Sequence, residues 1–312
     1  MRVLVTGGAG FIGSHLCDKL LDGSNHVIAV DNLCSGRLSN IDHLFANSNF
    51  SFINHDVTTP LNIEVDQIYN LASIASPVFY QNLPVDTLMT NVLGSFHLLN
   101  LALKNNATIL QASTSEVYGD PLIHPQKESY WGNVNPIGTR ACYDEGKRAA
   151  ETLFFDYKRS HQLKIKVARI FNTYGPRMRI DDGRVVSNFI TQALNNEPLS
   201  IYGVGSQTRS FCFVSDLVEG LIKLMNSPDE ISGPLNLGNN SEITIDEFAQ
   251  LINSLIPTSN GIVHFELPSD DPVRRRPDIS LAAELLDWFP VIDLVTGIRK
   301  TIESFVVENN AS

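Results

Sequence analysis

The stretch Arg2-Val3-Leu4-Val5-Thr6-Gly7-Gly8-Ala9-Gly10-Phe11-Ile12-Gly13 runs from a short apolar strand straight into a glycine-rich turn. The spacing of Gly7, Gly10 and Gly13 allows a tight turn, a close approach of backbone to a ligand, and packing of the following helix against a sheet. A helical run continues to about Leu21, and the free N–H groups and dipole at its start favour an anion such as a pyrophosphate. The strand before the glycines and the helix after them separate this pattern from an ordinary turn.

A second strand, residues 26–30, ends in Asp31, 18 residues after Gly13. A carboxylate at that place accepts hydrogen bonds from ribose hydroxyls and repels a 2′-phosphate, so NAD is expected rather than NADP. Arg37 could answer a phosphate but reads as a solvated loop residue. Further strands are expected at 50–53, 67–71, 108–112 and 165–170, with helical runs between them and no internal repeat. That alternation predicts an α/β fold, a doubly wound parallel sheet of Rossmann type. From Asn172 the alternation loosens, which predicts a smaller α/β substrate lobe.

The polar residues gather between 113 and 147. Ser113-Thr114-Ser115-Glu116 follows the strand at 108–112, at the carboxyl end of the sheet where ligands of open α/β sheets bind. Tyr143 and Lys147 are four residues apart in a helical run and share one face. An ammonium beside a phenol favours the phenolate, so Tyr143 is expected to serve as a base at neutral pH. Residues 84–104 read as one long helix, with Leu88, Val92, Phe96, Leu99 and Leu103 near helical spacing.

Composition narrows the partners. The chain has 312 residues, 43% hydrophobic and 18% charged, enough to bury a full core. A net charge of −11 argues against nucleic acid, which needs a basic face. A negative substrate must then be held by a few placed arginines. No apolar run approaches the roughly 20 residues of a membrane span, so a soluble, cytoplasmic protein is expected. Cys17, Cys34, Cys142 and Cys212 form no C-x-x-C pair, and neither a metal site nor a disulfide framework is expected.

The runs Glu128-Ser129-Tyr130-Trp131-Gly132-Asn133-Val134-Asn135-Pro136 and Arg140-Ala141-Cys142-Tyr143-Asp144-Glu145-Gly146-Lys147-Arg148 carry a resemblance. They resemble the extended short-chain dehydrogenase/reductase superfamily, and its UDP-glucuronate decarboxylase branch closely, from Gly7 to the region of Trp288. The resemblance implies an NAD site built from Gly7, Gly10, Phe11, Ile12, Gly13, Asp31, Asn32, Ser35, Gly36, Asp56, Val57, Leu71, Ala72, Ser73, Ser113, Tyr143 and Lys147. It implies catalytic roles for Thr114, Glu116, Tyr143, Lys147 and Arg275, and substrate contacts from Asn172, Arg184, Tyr202, Arg209 and Arg275. The segments Gln207-Thr208-Arg209-Ser210-Phe211 and Asp271-Pro272-Val273-Arg274-Arg275-Arg276-Pro277-Asp278 match those that hold the nucleotide diphosphate and the glucuronate carboxylate. An NAD-binding lobe at 1–171, rejoined by segments after about 215, and a nucleotide-sugar lobe mainly at 172–312 follow from the same likeness. So does a homodimer through the helices at 84–104 and 141–159.

The implied reaction turns UDP-glucuronate into UDP-xylose. Oxidation at C4 makes the sugar a β-keto acid, which loses carbon dioxide because the electrons left at C5 delocalise into the C4 carbonyl. Related 4,6-dehydratases carry an Asp-Glu pair where this chain has Ser115-Glu116, so elimination lacks its acid. A nucleotide-sugar 4-epimerase would leave Glu116 idle, and carbon dioxide release separates the two readings. Release of the 4-keto-pentose would leave net NADH, and any turnover excludes a non-catalytic NAD-sensing module.

Overall fold

The computed structural model of the chain describes residues 1–257, 261–266 and 274–311. Asp271, Pro272 and Val273 of the expected carboxylate-binding segment lie outside the described residues, as does the side chain of Arg274. Six strands follow one another as β1 (Arg2–Thr6), β2 (His26–Asp31), β3 (Phe50–Asn54), β4 (Gln67–Asn70), β5 (Thr108–Thr114) and β6 (Ile165–Ile170). With Leu235–Leu237 they form a seven-stranded sheet in the order Leu235–Leu237, β6, β5, β4, β1, β2, β3. Every pairing is parallel.

The strands are apolar on both sides because both faces are covered. In β1, Val3 and Val5 join a core with Leu16 and Leu20 of the helix Phe11–Leu21 and Leu217 and Leu221 of Val214–Met225. Leu4 between them joins the opposite core, with Leu98, Leu99 and Ala102 of Ser95–Asn105 and Phe154 of Ala141–His161. The order reverses beside β1, between the chain paths running toward β3 and toward β6. A ligand crevice is expected at such a switch point, beyond the carboxyl ends of the strands.

Smaller sheets flank that crevice. Glu242–Thr244, Thr208–Ser210 and Arg274–Arg275 form one of three strands, and Leu199–Tyr202 pairs in parallel with Ile262–Phe265. Arg275 aligns with Arg209 in register. The chain just after Arg275 is tied down by Gln126, which donates its N–H to the Arg276 carbonyl and accepts from the N–H of Arg276 and of Asp278. This tie brings the late segment back over the end of β5.

The single helix expected at 84–104 is interrupted. Pro84–Met89 and Ser95–Asn105 are α-helical, and Thr90–Gly94 between them is a π turn. Tight packing accounts for the wider turn. A Cβ on Gly94 would lie 2.8 Å from Val57, and one on Gly146 in the neighbouring helix would lie 3.2 Å from Asn91. Asn91 is buried and donates to the Thr87 carbonyl at 2.9 Å. The extra residue advances later side chains by roughly 100° about the axis. Downstream of the turn Leu99 is buried as expected, whereas Phe96 and Leu103, expected on the same face, are exposed, and Leu98, Leu101 and Ala102 are buried beside Leu99.

Candidate active site

A cleft of about 620 Å³ crosses the carboxyl ends of β1, β2, β4 and β5 and the flanking small sheets. The helix Phe11–Leu21 opens onto it with Gly10 at its start and no side chain capping its first N–H groups. Gly13 is indispensable here, since a Cβ would lie 2.0 Å from the Gly7 carbonyl oxygen. Gly7 itself has φ +69°, in the left-handed region. The bare backbone cradle and free helix N-terminus fit a pyrophosphate, and Asp31 stands where the adjoining ribose would reach.

The Asp31 carboxylate is buried and already oriented, accepting the N–H of Ala9 at 3.0 Å and of Leu33 at 2.8 Å. Burial pushes its carboxyl up, against those two hydrogen bonds. Gly36 is a correction: it does not line the cleft but lies behind Asp31, where a Cβ would meet the carboxylate at 2.7 Å. Glycine there makes room for the acid. Asn32 donates to Asp56 at 3.0 Å, and Ser35, Val57, Leu71, Ala72 and Ser73 line the same end. If Asp31 binds the ribose, NAD should bind roughly ten- to a hundredfold more tightly than NADP, from a charged hydrogen bond of about 1.5 to 3 kcal/mol. Equal affinities in a calorimetric titration would remove that assignment.

At the other end stand the residues of β5 and of the helix Ala141–His161. Tyr143 hydrogen-bonds Thr114 and stacks on Tyr80 with ring centroids 5.4 Å apart. Burial pushes the Tyr143 phenol up to about 12, the Thr114 hydrogen bond opposing it. The expected lowering by Lys147 is not seen in this cleft. The Lys147 amine is itself buried, and burial brings it down to about 7. It donates to the Ala112 carbonyl at 2.9 Å and lies 5.8 Å from the centre of the Tyr143 ring. The Ser113 hydroxyl, expected at the cofactor, donates to Glu151 at 2.5 Å, and Arg169 spans both oxygens of that carboxylate.

Glu116 is the centre of a cluster that the sequence does not announce. Arg275 clamps it with both guanidinium arms, at 2.5 and 2.8 Å, and Arg140 adds a third contact at 2.7 Å. Burial opposes its charge, but Arg275 and Arg140 outweigh that and hold the carboxyl below its usual range. Arg275, expected free to grip a substrate carboxylate, is therefore engaged with Glu116 in this structure. Asn172, Arg184, Tyr202 and Arg209 all line the cleft. Arg184 pairs with Asp182 at 2.5 Å, and Arg209 donates to the Thr208 carbonyl.

Three residues here escaped sequence reasoning. Arg140 lies one helical turn before Tyr143, a spacing that could have marked it. Tyr80 follows Phe79 in the short helix Pro77–Asn82, with no chemistry-bearing motif beside it. Gln111 sits in a buried ladder across three aligned strands, in which Thr6 donates to Asn70 at 2.9 Å, Asn70 to Gln111 at 2.7 Å, and Gln111 to the Ala112 carbonyl. That is the carbonyl that anchors Lys147.

The chain resembles known proteins along most of its length. The model of the NAD dependent epimerase/dehydratase family matches residues 3–238. The chain belongs to that family. It is 58% identical over 304 residues to UDP-glucuronic acid decarboxylase 1 of Danio rerio, covering 97% of this chain and 72% of that one. It is 56% identical over 311 residues to UDP-glucuronic acid decarboxylase 3 of Arabidopsis thaliana, covering 99% and 90%. Among solved structures, UDP-glucuronic acid 4-epimerase from Bacillus cereus, in complex with UDP-glucuronic acid and NAD, superposes with a TM-score of 0.87. It is 28% identical, and the match covers 99% of this chain and 100% of that one.

Proposed function

We propose that the chain is a UDP-glucuronate decarboxylase that makes UDP-xylose with NAD as a regenerated cofactor. The observation that carries this reading is the ionised Glu116 held by Arg275 and Arg140 beside Tyr143 and Thr114. An epimerase acting on UDP-glucuronate must also accommodate the C6 carboxylate, but inversion at C4 leaves Glu116 idle, whereas a decarboxylase needs an acid near C5 and C6. The identity to named decarboxylases supports the same choice.

The residues divide the work. The backbone of Gly7 to Gly13 takes the pyrophosphate, and Asp31 the ribose. NAD bound there supplies reversible hydride exchange at C4. Tyr143 removes the C4 hydroxyl proton and later returns it, with Thr114 sharing the oxygen's hydrogen bonds and Lys147 supplying positive charge from below. The cationic arms of Arg140 and Arg275 admit the C6 carboxylate. Arg275 cannot act by tight binding alone, since equal stabilisation of ground and transition states would not speed the loss of carbon dioxide. Its contribution is orientation, setting the C5–C6 bond across the plane of the C4 carbonyl. Arg184, Arg209, Tyr202 and Asn172 line the side where the nucleotide diphosphate extends.

A homodimer is part of the proposal. Val85, Leu93, Phe96 and Leu103 are exposed along the helical segments at 84–105, an apolar surface suited to a second copy. We place the protein in the cytoplasm on its four free thiols, which persist in a reducing compartment. Among the described residues no helix is long and apolar enough to cross a membrane.

Incubation with UDP-glucuronate and NAD, read by mass spectrometry, tests the reading. UDP-xylose and carbon dioxide are expected without net NADH. UDP-galacturonate as the only product would make the chain a 4-epimerase instead.

A further inference from the structure

Behind the Glu116 cluster lies a second carboxylate that the proposed chemistry does not use. Asp144 follows Tyr143 in the helix, is 6% exposed, and places one oxygen 3.9 Å from the Nε of Arg140. Its other oxygen, Oδ1, is buried with no hydrogen-bond partner among the described residues. The charged and titratable groups that face it come from every surrounding element: Glu116 from the turn after β5, Arg275 from the late strand, Arg140 and Glu145 from its own helix, and Tyr80 and Tyr143 from the stacked pair. The Tyr80 hydroxyl is likewise buried without a partner among them. Burial and the neighbouring charge of Glu116 push the Asp144 carboxyl well above the usual range, with Arg140 and Arg275 opposing.

We propose that Asp144 takes up a proton when the uronate carboxylate enters the site and gives it up after carbon dioxide leaves, coupling substrate binding to proton uptake. The inference rests on the decarboxylase reading. With both acids ionised, two carboxylates and two guanidinium groups balance. A third carboxylate, on C6 of the substrate, leaves one uncompensated negative charge in a buried cluster, an expensive state that protonation relieves. Glu116 cannot relieve it, because both its oxygens are held by guanidinium N–H groups. Asp144 can, through the oxygen that no donor reaches.

The balance also closes on the product side. When the C5–C6 bond breaks, carbon dioxide leaves neutral and its electron pair stays on the C5–C4 enolate. A C5–H bond then forms as the Asp144 O–H breaks, the proton passing by way of water. The cluster returns to two carboxylates and two guanidinium groups.

Calorimetry measures this coupling without relying on turnover. NAD-loaded Tyr143→Phe protein, in which oxidation is blocked, is titrated with UDP-glucuronate at neutral pH in buffers of different ionisation enthalpy. Uptake of roughly half to one proton is expected, set by how far the carboxyl titrates on binding. UDP-xylose, which has no carboxylate, should take up none. Tyr143→Phe/Asp144→Asn protein should bind UDP-glucuronate without the uptake. Undiminished uptake in the Asp144→Asn background overturns the proposal. So does equal uptake with UDP-xylose, a comparison that needs no change at Asp144 and holds even if that variant folds poorly. Failure of wild-type protein to release carbon dioxide would instead strike the decarboxylase reading.

Discussion

Tyr143→Phe is expected to lower turnover by about 10² to 10⁴, the usual contribution of a positioned proton-transfer group. The change removes one oxygen and little else. Tyr143 is 8% exposed and its ring lies flat on Tyr80, with 6° between the planes. Phenylalanine preserves that stacking, so folding and NAD affinity should persist. Burial holds the phenol near 12 in the cleft as described. Proton removal at neutral pH therefore needs positive charge close by, which an oxidised nicotinamide supplies and to which Lys147 adds only in its charged form. Steady-state turnover and NAD titration together check the expectation. A variant that keeps more than about a tenth of wild-type activity would show that another residue takes the C4 proton.

Arg275→Ala should act on stability and chemistry at once. Removing one partner from a buried ion pair costs about 3 to 5 kcal/mol, and the lower end applies here because Arg140 still holds Glu116. A fall in the denaturation midpoint with unchanged slope reports that loss. For catalysis, the first hydride transfer at C4 should survive better than the loss of carbon dioxide at C6. Bound NADH should then accumulate on rapid mixing with UDP-glucuronate, seen by nicotinamide absorbance, with Glu116→Ala giving the same signature. Arg275→Lys separates charge from geometry. It restores the positive charge without the planar fork that spans both Glu116 oxygens, so stability should recover more than rate. If Arg275→Ala binds substrate yet forms no NADH, Arg275 serves oxidation and the division of labour fails.

The strands, the glycine turn and the Tyr143–Lys147 face were legible in the chain because each depends on near neighbours. An apolar strand buried on two faces has few polar positions whatever surrounds it. Gly13 must be glycine because its own turn brings it onto the Gly7 carbonyl, and Gly7 because that turn needs a positive φ. Residues four apart in a helix share a face by geometry alone. Even Asp31 follows from its place at the end of β2. The π turn at Thr90–Gly94 is different, since it answers the approach of Val57 and of Gly146 in another helix.

The charge cluster belongs wholly to the tertiary structure. Glu116 and Arg275 are 159 positions apart, and they meet because Arg274–Arg275 adds to the strand Thr208–Ser210 while Gln126 fastens the residues that follow. No local period encodes such a pairing. Burial likewise decided what the side chains do once assembled. It raised the Tyr143 phenol where the sequence pattern alone suggested lowering, and it left one oxygen of Asp144 without a donor. Sequence spacing determined which residue types could meet at the end of the sheet. The exclusion of water by elements distant in the chain decided their charge states, because the energy of a charge depends on everything packed around it.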